Sequence, residues 1–283
     1  MAARPHARTL VAVGLVAGCA LALQVLLTRL FAAVLFYHFG FLAISLALLG
    51  TGAAGLLLYA RPNWFERRPL DATLARWSVA LALLLVAVPA LLVRLDYDFS
   101  GKIELSFAIA LGLACLLAAL PFTAAGVTIA LAIRGYTRHA DRVYAFDLAG
   151  AALGAIAVVP VMWITDPATL TVVLGAIAAL AALLFAGGRR AERIAGVGAL
   201  AFAAVMAVVA ATTSLYFLQP WTHTKPFAER WTPLSRVIGY PPKRGGRFAL
   251  LFYDRVYAPV PVHTPGTPYP DGRSLGMRSR PLA

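Results

Sequence analysis

Charged side chains are scarce in this sequence, and acidic ones are scarcer than basic ones. Asp, Glu, Lys and Arg make up 13% of the 283 residues, against roughly 25% in an ordinary soluble domain. Hydrophobic residues make up 61%, and the mean hydropathy is +0.79. This balance excludes an ordinary globular protein and indicates a polytopic membrane protein. The net charge of +13 comes from Arg and Lys between apolar runs and in the C-terminal tail, so topology and anionic lipid account for it and nucleic acid is not an expected partner.

Cysteine and the usual catalytic motifs are also nearly absent. Cys19 and Cys115 both lie inside apolar runs, with no C-x-x-C pair and no Cys/His cluster, so neither a disulfide framework nor a metal site is expected. There is no Ser-His-Asp order and no P-loop. We therefore expect no catalytic, cofactor-binding or metal-ligating residue, and no cofactor, in this chain. The stretch "VAGC" resembles a lipoprotein-processing box, but the apolar run continues through Ala20–Leu27, which predicts a retained membrane helix.

Long apolar runs dominate the first three quarters of the chain. A membrane helix needs about 20 apolar residues to cross a hydrocarbon core of about 30 Å. Seven segments meet this requirement: 10–31, 38–59, 77–94, 105–133, 143–164, 168–187 and 194–217. The fourth carries Pro121 near its middle, which predicts one kinked or tilted helix, since two spans would not fit in it. Residues 1–217 are therefore expected to form an all-α polytopic membrane helix bundle.

Basic residues cluster in the loops on one side of these spans. Arg4 and Arg8 precede the first span, and arginines follow the second, fourth and sixth: Arg61, Arg67, Arg68, Arg76, Arg134, Arg138, Arg142, Arg189, Arg190 and Arg193. The positive-inside rule then places the N-terminus in the cytoplasm. The strong bias of Arg over Lys suggests a bacterial source, hence a multi-pass protein of the bacterial inner (plasma) membrane. Seven spans put residues 218–283 outside, although that tail is itself basic, because long segments translocate largely regardless of charge.

The composition changes after the seventh span. "SRVIGY", "RFALLFYD" and "RVYAPVPV" are β-branched and aromatic runs broken by Pro and Gly, which predicts short strands. The last stretch, "HTPGTPYPDGRSLGMRSRPLA", is rich in turn residues and has no apolar face. Residues 218–283 are therefore expected to form a partial, β-rich extramembrane segment.

The stretch "GTGAAG" at Gly50–Gly55 has the glycine spacing of a dinucleotide-binding loop. Such a loop needs a preceding strand, a following helix and an acidic residue roughly 20 positions on. Here the glycines lie inside the second span, and Asp71, at the expected distance, belongs to an Arg-rich loop. Small residues let membrane helices approach closely, and the same spacing recurs at Gly14/Gly18 and Gly150/Gly154. We interpret these glycines as helix-packing residues.

Five polar residues in or near the spans are candidates for function, because ionisable groups inside a membrane are costly. Asp147, in the fifth span, is either a proton or cation site or an ion-pair partner of Arg142, Arg134 or Arg61. Arg29 and His38 are expected near the outer interface, where an anchoring role is more plausible than a ligand role. Gln24 lies deeper and could hydrogen-bond between helices. The candidate set is Asp147, Arg142, Arg29, His38 and Gln24.

Three stretches carry a resemblance to a known family: "LQVLLTRLFAAVLFYHFGFLAISLALLGTGAAGLL", "RVYAFDLAGAALGAIAVVPV" and "ERWTPLSRVIGY". Together they resemble the N-terminal membrane portion of bacterial membrane-anchored spermidine synthase-like proteins. The resemblance implies a helix bundle that precedes a polyamine aminopropyltransferase-like domain. It also implies that "ERWTPLSRV" and "LLFYDRVYAPVPV" form the small β-stranded start of that domain.

The family pattern continues with a Rossmann-like fold and a glycine-rich strand–turn–helix loop, which this sequence lacks. After Tyr269 the chain runs "PDGRSLGMRSRPLA". No catalytic residue is carried over, and the chain is expected to be truncated before its enzyme domain.

These features together predict the integral membrane module of a spermidine synthase-like protein, which anchors an aminopropyltransferase-like domain missing from this chain. Its expected partners are the lipid bilayer and polyamine-like cations that approach the fused domain. The alternative from another class is a small-solute or cation transporter or exporter that uses the intramembrane carboxylate of Asp147. A third hypothesis is a degenerate fragment without activity.

Overall fold

The computed structural model describes most of the helical region and parts of the C-terminal segment. The described ranges are 4–34, 37–95, 105–212, 228–234, 236–240, 248–253 and 256–261. The turn-rich stretch 263–283 lies outside them.

Eight α-helices make up the described part of residues 4–212. They are α1 (Ala7–Val34), α2 (Leu42–Ala60), α3 (Pro62–Glu66), α4 (Leu70–Leu92), α5 (Leu105–Gly135), α6 (Ala140–Val161), α7 (Pro167–Ala186) and α8 (Arg190–Thr212). All but the short α3 are long and apolar enough to cross a membrane, so the prediction of seven spans is confirmed. Short 3₁₀ turns at Tyr37–Phe41 and Thr137–His139 lead into α2 and α6.

Helices α4 and α5 correspond to the third and fourth predicted spans. The third span was predicted to begin at residue 77, which is wrong, because α4 begins at Leu70. Asp71 and Arg76 lower the hydropathy of its first two turns, but both side chains have partners inside the protein. The fourth span is a single helix, as predicted, and α5 continues through the buried Pro121 for 31 residues.

Helix α1 lies at the centre of the bundle. Its most apolar stretch is 67% buried, whereas the corresponding stretch of α6 is only 11% buried. Leu23, Leu26, Leu27 and Phe31 of α1 are fully buried side chains. A helix that is apolar on all sides belongs in a core, and α1 packs against α2, α5, α6 and α7. The apolar outer faces of α2, α6 and α8 are the ones that a bilayer would cover.

Helices α1 and α6 approach each other closely at two pairs of glycines. A methyl group added at Gly150 would overlap the Gly14 carbonyl oxygen, and one at Gly154 would overlap that of Gly18. The two helices run in the same direction, because 14 faces 150 and 18 faces 154. The predicted packing role of these four glycines is confirmed, and they form a seam between two helices.

The "GTGAAG" stretch lies in the middle of α2, with no strand before it. A Cβ atom at Gly50 would lie 2.5 Å from the Ala119 carbonyl oxygen on α5, whereas at Gly52 and Gly55 it would meet nothing within 4 Å. The packing interpretation is therefore confirmed for Gly50 and wrong for Gly52 and Gly55, which face open space. A continuous helix offers no loop that could cradle a pyrophosphate.

The C-terminal segment forms a four-stranded antiparallel sheet in the order β1-β2-β3-β4. Its strands are β1 (Ala228–Trp231), β2 (Arg236–Tyr240), β3 (Phe248–Tyr253) and β4 (Val256–Pro261). The three predicted runs correspond to β2, β3 and β4, so those predictions are confirmed. Glu229 pairs with Ile238, Ile238 with Phe252, and Leu251 with Ala258. In the described sheet β4 is an edge strand, and its register places Pro259 opposite Leu250 and Pro261 opposite Phe248.

Candidate functional site

Asp147 lies about two turns into α6, on the side of the helix that packs against α1. It shares that side with Val143, Gly150 and Gly154 and is partly buried. Within the described part of the chain its carboxylate makes no hydrogen bond or ion pair, so the expected pairing with a nearby arginine is not found. Arg142, five residues earlier, is exposed. The structure therefore leaves Asp147 as a half-buried carboxylate inside a membrane span.

Gln24 and His38 are two further candidate residues from the sequence. Gln24 is partly buried on α1 and makes no hydrogen bond within the described residues, so the expected bond between helices is not found. His38 belongs to the 3₁₀ turn that follows α1, and its side chain lies outside the described part.

Arg29, near the end of α1, contacts the C-terminal sheet. Its Nη1 atom donates a hydrogen bond of 2.7 Å to the carbonyl oxygen of Leu234, in the turn between β1 and β2. The guanidinium is thus tied to the sheet, and the role of Arg29 as an interfacial anchor stays a prediction. The two residues are separated by 205 positions, and no local pattern could have predicted their contact.

Trp231, at the end of β1, adds an apolar contact at the same place. Its indole packs against the hydrophobic core of the bundle, and the guanidinium of Arg236 lies 5.2 Å from the ring centroid. Ile238 and Tyr240 of β2 are buried. The sheet is thus seated on the end of the bundle where α1 finishes. Because α8 is the seventh long helix, it also ends on that side, in agreement with the parity of seven spans.

The opposite end of the bundle carries a polar cluster that sequence reasoning missed. Tyr136, between α5 and α6, donates a hydrogen bond of 3.4 Å from its hydroxyl to Asp71 Oδ1 on α4. The Thr9 side chain of α1 hydrogen-bonds the same phenol. Tyr136 is buried, and burial, followed by the negative charge of Asp71, raises the pKa of its hydroxyl above the ordinary value of 10.0.

A second group of contacts at this end joins α1, α4, α7 and α8. The Arg8 guanidinium packs over Gly187, which has a φ of 58° in the turn between α7 and α8. Arg193 donates from Nε to the Gly187 carbonyl oxygen, and Arg76 Nε lies 3.5 Å from Glu192 Oε1. From the sequence, the arginines at this end are topology signals or, for Arg61, Arg134 and Arg142, candidate partners of Asp147. In the structure several of them hold the helix ends together.

The raised pKa of Tyr136 predicts a loss of stability at alkaline pH. A proton bound more tightly in the folded state than in the unfolded state stabilises the fold below the unfolded pKa, and that contribution is lost as pH rises. We expect the melting temperature in detergent to fall from about pH 10 upward, since phenolate would then face the Asp71 carboxylate. Tyr136→Phe should show a smaller fall between pH 9 and 11. The control is Tyr59→Phe, at a position 87% exposed, and equal falls in Tyr136→Phe and wild type would contradict the prediction.

The described residues assemble no obvious catalytic set. No group of three His, Cys, Asp or Glu side chains comes together there as a metal ion would require. The buried Cys19 donates its thiol to the Leu174 carbonyl oxygen at 3.4 Å, which ties α1 to α7. What this arrangement can do is span a bilayer, seat a small sheet at one end, and hold an isolated carboxylate inside α6.

Comparison with known proteins adds no relative. No protein-family model, no curated protein and no solved structure matches the chain.

Proposed function

We propose that this chain is the membrane module of a spermidine synthase-like protein, in which the helix bundle anchors an extramembrane aminopropyltransferase-like domain that begins with the sheet. The observation that carries the anchoring role is the contact between Arg29 and Leu234, with Trp231 packed beside it. The sheet is held by a charge-assisted hydrogen bond and an apolar contact, so it is seated rather than loosely tethered.

Small sheets need such support. Four strands of four to six residues enclose little apolar volume, and an isolated sheet of this size gains stability by packing against another element. The bundle supplies that element at the end of α1. A domain that continued from β4 would therefore start from a fixed position above the membrane.

Charge distribution supports the orientation that we propose, with the N-terminus in the cytoplasm of a bacterium. Arg8, Arg76 and Arg193 lie at the end of the bundle opposite the sheet, and the exposed Arg61 and Arg138 belong to the same set of loops. Seven crossings then put the sheet on the outer face.

Limited proteolysis tests both the seating and the side of the sheet. Arg29→Ala removes the hydrogen bond to Leu234, and we expect trypsin to cleave after Arg236, which is 3% exposed in the wild type, roughly fivefold faster. Cleavage should occur in spheroplasts, where only the outer face is accessible. The matched control is Arg61→Ala, an exposed arginine that packs over Trp64 at the other end. Equal rates for wild type and Arg29→Ala would contradict the seating, and cleavage only in inverted vesicles would contradict the orientation.

The gene itself tests the family relation. An in-frame strand, glycine-rich turn and helix with acidic residues beyond codon 283 would support a synthase-like protein. A stop codon with no such coding sequence beyond it would argue against that relation.

A small-solute or cation transporter or exporter is the second candidate, favoured by the carboxylate of Asp147, which is partly buried and has no ion-pair partner among the described residues. The anchor proposal predicts that proteoliposomes take up labelled putrescine no faster than protein-free liposomes, with wild type and Asp147→Asn alike. A transporter would show uptake that Asp147→Asn abolishes while Asp141→Asn, an exposed position in the first turn of α6, retains it. Membrane insertion of all three proteins is the necessary control.

A further inference from the structure

We propose that a slot between α6 and α7 binds one acyl chain of an anionic phospholipid, whose phosphate meets Arg142 and Arg8. This inference does not depend on the identity of the extramembrane domain. It rests on the shape of the slot, its lining, its depth in the membrane and the charges at one of its ends.

The slot results from the close packing of α6 against α1. The glycine seam draws α6 close to α1, while α7 packs against α1 on a neighbouring face, so a gap remains between α6 and α7. The gap has a volume of about 500 Å³ and is open along one side. Its floor is α1, at Gly14 and Gly18, and its walls include Leu153 and Ala157 of α6 and Val173 and Ile177 of α7.

The lining specifies the chemistry of the occupant. Every residue around the slot is apolar, apart from the Cys19 thiol, which is engaged with the Leu174 carbonyl. Such a surface offers nothing to a polyamine or another polar solute. An apolar gap gains dispersion contacts only when an apolar group fills it, and water in it would find no hydrogen-bond partners.

The depth of the slot in the membrane indicates which molecule would supply the apolar group that fills it. Its walls belong to the candidate spans Thr137–Val161 and Thr169–Ala186, so the open side faces the hydrocarbon of the bilayer. Lipid acyl chains are the apolar molecules that surround such a surface. A flexible chain also fits an elongated gap between two helices better than a rigid ligand does.

Two arginines lie one helical turn beyond the lining residues at one end of the slot. Phe146, Ala149, Leu153 and Ala157 form the stripe of α6 that lines the slot, and Arg142 precedes Phe146 by one turn on that stripe.

On α1, Arg8 precedes the lining residue Val11 by one turn. Because α1 and α6 run parallel, both guanidinium groups lie at the same end, and that of Arg8 reaches the end of α7 at Gly187. Neither arginine has an ion-pair partner in the described part of the chain, and both are exposed. Guanidinium groups at this level bind lipid phosphate, which favours an anionic headgroup.

Native mass spectrometry of the delipidated protein in detergent tests the proposal with phosphatidylglycerol and phosphatidylcholine of identical acyl chains. We expect wild type to retain phosphatidylglycerol roughly fivefold better, as expected for about one added arginine–lipid charge contact. Ala157→Phe fills the slot and should abolish retention of both lipids. Ala152→Phe places the same ring on the exposed outer side of α6 and should leave retention unchanged.

The charge contribution is tested by Arg142→Gln, which should lower the preference for phosphatidylglycerol because Arg8 alone then remains, while Arg138→Gln, at another exposed arginine, should not change it. If Ala157→Phe lowers the melting temperature, Ala149→Phe, at an exposed residue of the same lining, replaces it. Retention by the slot-filling variant equal to that of Ala152→Phe would overturn the slot as the site. Equal retention of both lipids by wild type would overturn the role of the arginines.

Discussion

A Gly154→Leu variant is expected to lose about 3 kcal/mol of unfolding free energy, the upper part of the range for overpacking. The reason lies in the atoms that the new side chain would meet. At Gly154 the nearest atoms are the backbone oxygen, carbon and Cα of Gly18, none of which can rotate away. The leucine can be accommodated only if α6 moves off α1. Because α6 has its main packing surface on α1, that movement exposes most of its buried face.

The matched control for this variant is Gly198→Leu on α8. A Cβ atom there meets nothing within 4 Å, so we expect a change of no more than about 0.5 kcal/mol. The measurement is a denaturant titration in micelles followed by circular dichroism. Equal midpoints for the two variants would show that the α1–α6 seam does not contribute to stability.

The second large effect is expected at the glycine triplet of α2, where positions two residues apart should behave differently. Gly50→Leu should destabilise the bundle by about 2–3 kcal/mol, since its Cβ atom would lie 2.5 Å from both Ala119 O and Phe122 Cβ on α5. Gly52→Leu, whose side chain enters open space, should be neutral or slightly stabilising, because leucine has the higher helix propensity.

Thermal unfolding of both variants in detergent measures this difference. A nucleotide-binding role for the triplet would instead require both glycines, and the two variants would then lose binding to the same degree. A loss of stability at Gly52 as large as that at Gly50 would mean that α2 has a further packing partner on its outer face.

The number of the membrane helices and most of their limits could be predicted because they depend on local composition. Twenty apolar residues in sequence suffice to identify a span, and the seven predicted spans all correspond to helices. The partners of each helix could not be predicted in this way. Helices in this bundle are apolar on nearly all sides, so hydropathy does not mark the face that is buried. Gly50 and the paired glycines, Gly14/Gly18 and Gly150/Gly154, carried a readable packing signal, but the sequence did not reveal which residues they face.

The polar contacts were less predictable still. Asp147 was found from its position within an apolar run, which is a local signal. The bond from Arg29 to Leu234 and that from Tyr136 to Asp71 join residues 205 and 65 positions apart, so they depend on the tertiary arrangement. Because of Asp71 and Arg76, the predicted start of α4 was placed too late in the sequence. Charge within a span lowers hydropathy whether or not a partner neutralises it.

The two prolines of β4 bear on how this protein can assemble with other chains. Pro259 and Pro261 occupy alternate positions and so remove two N–H donors from one side of the strand. Proline is tolerated in a sheet where the missing donors would have pointed away from the neighbouring strand. The outer edge of β4 is therefore a poor template for a further strand, which protects the sheet against edge-to-edge aggregation. A domain that begins with this sheet would accordingly extend through the chain after β4 and not by adding a strand to the outer edge of β4.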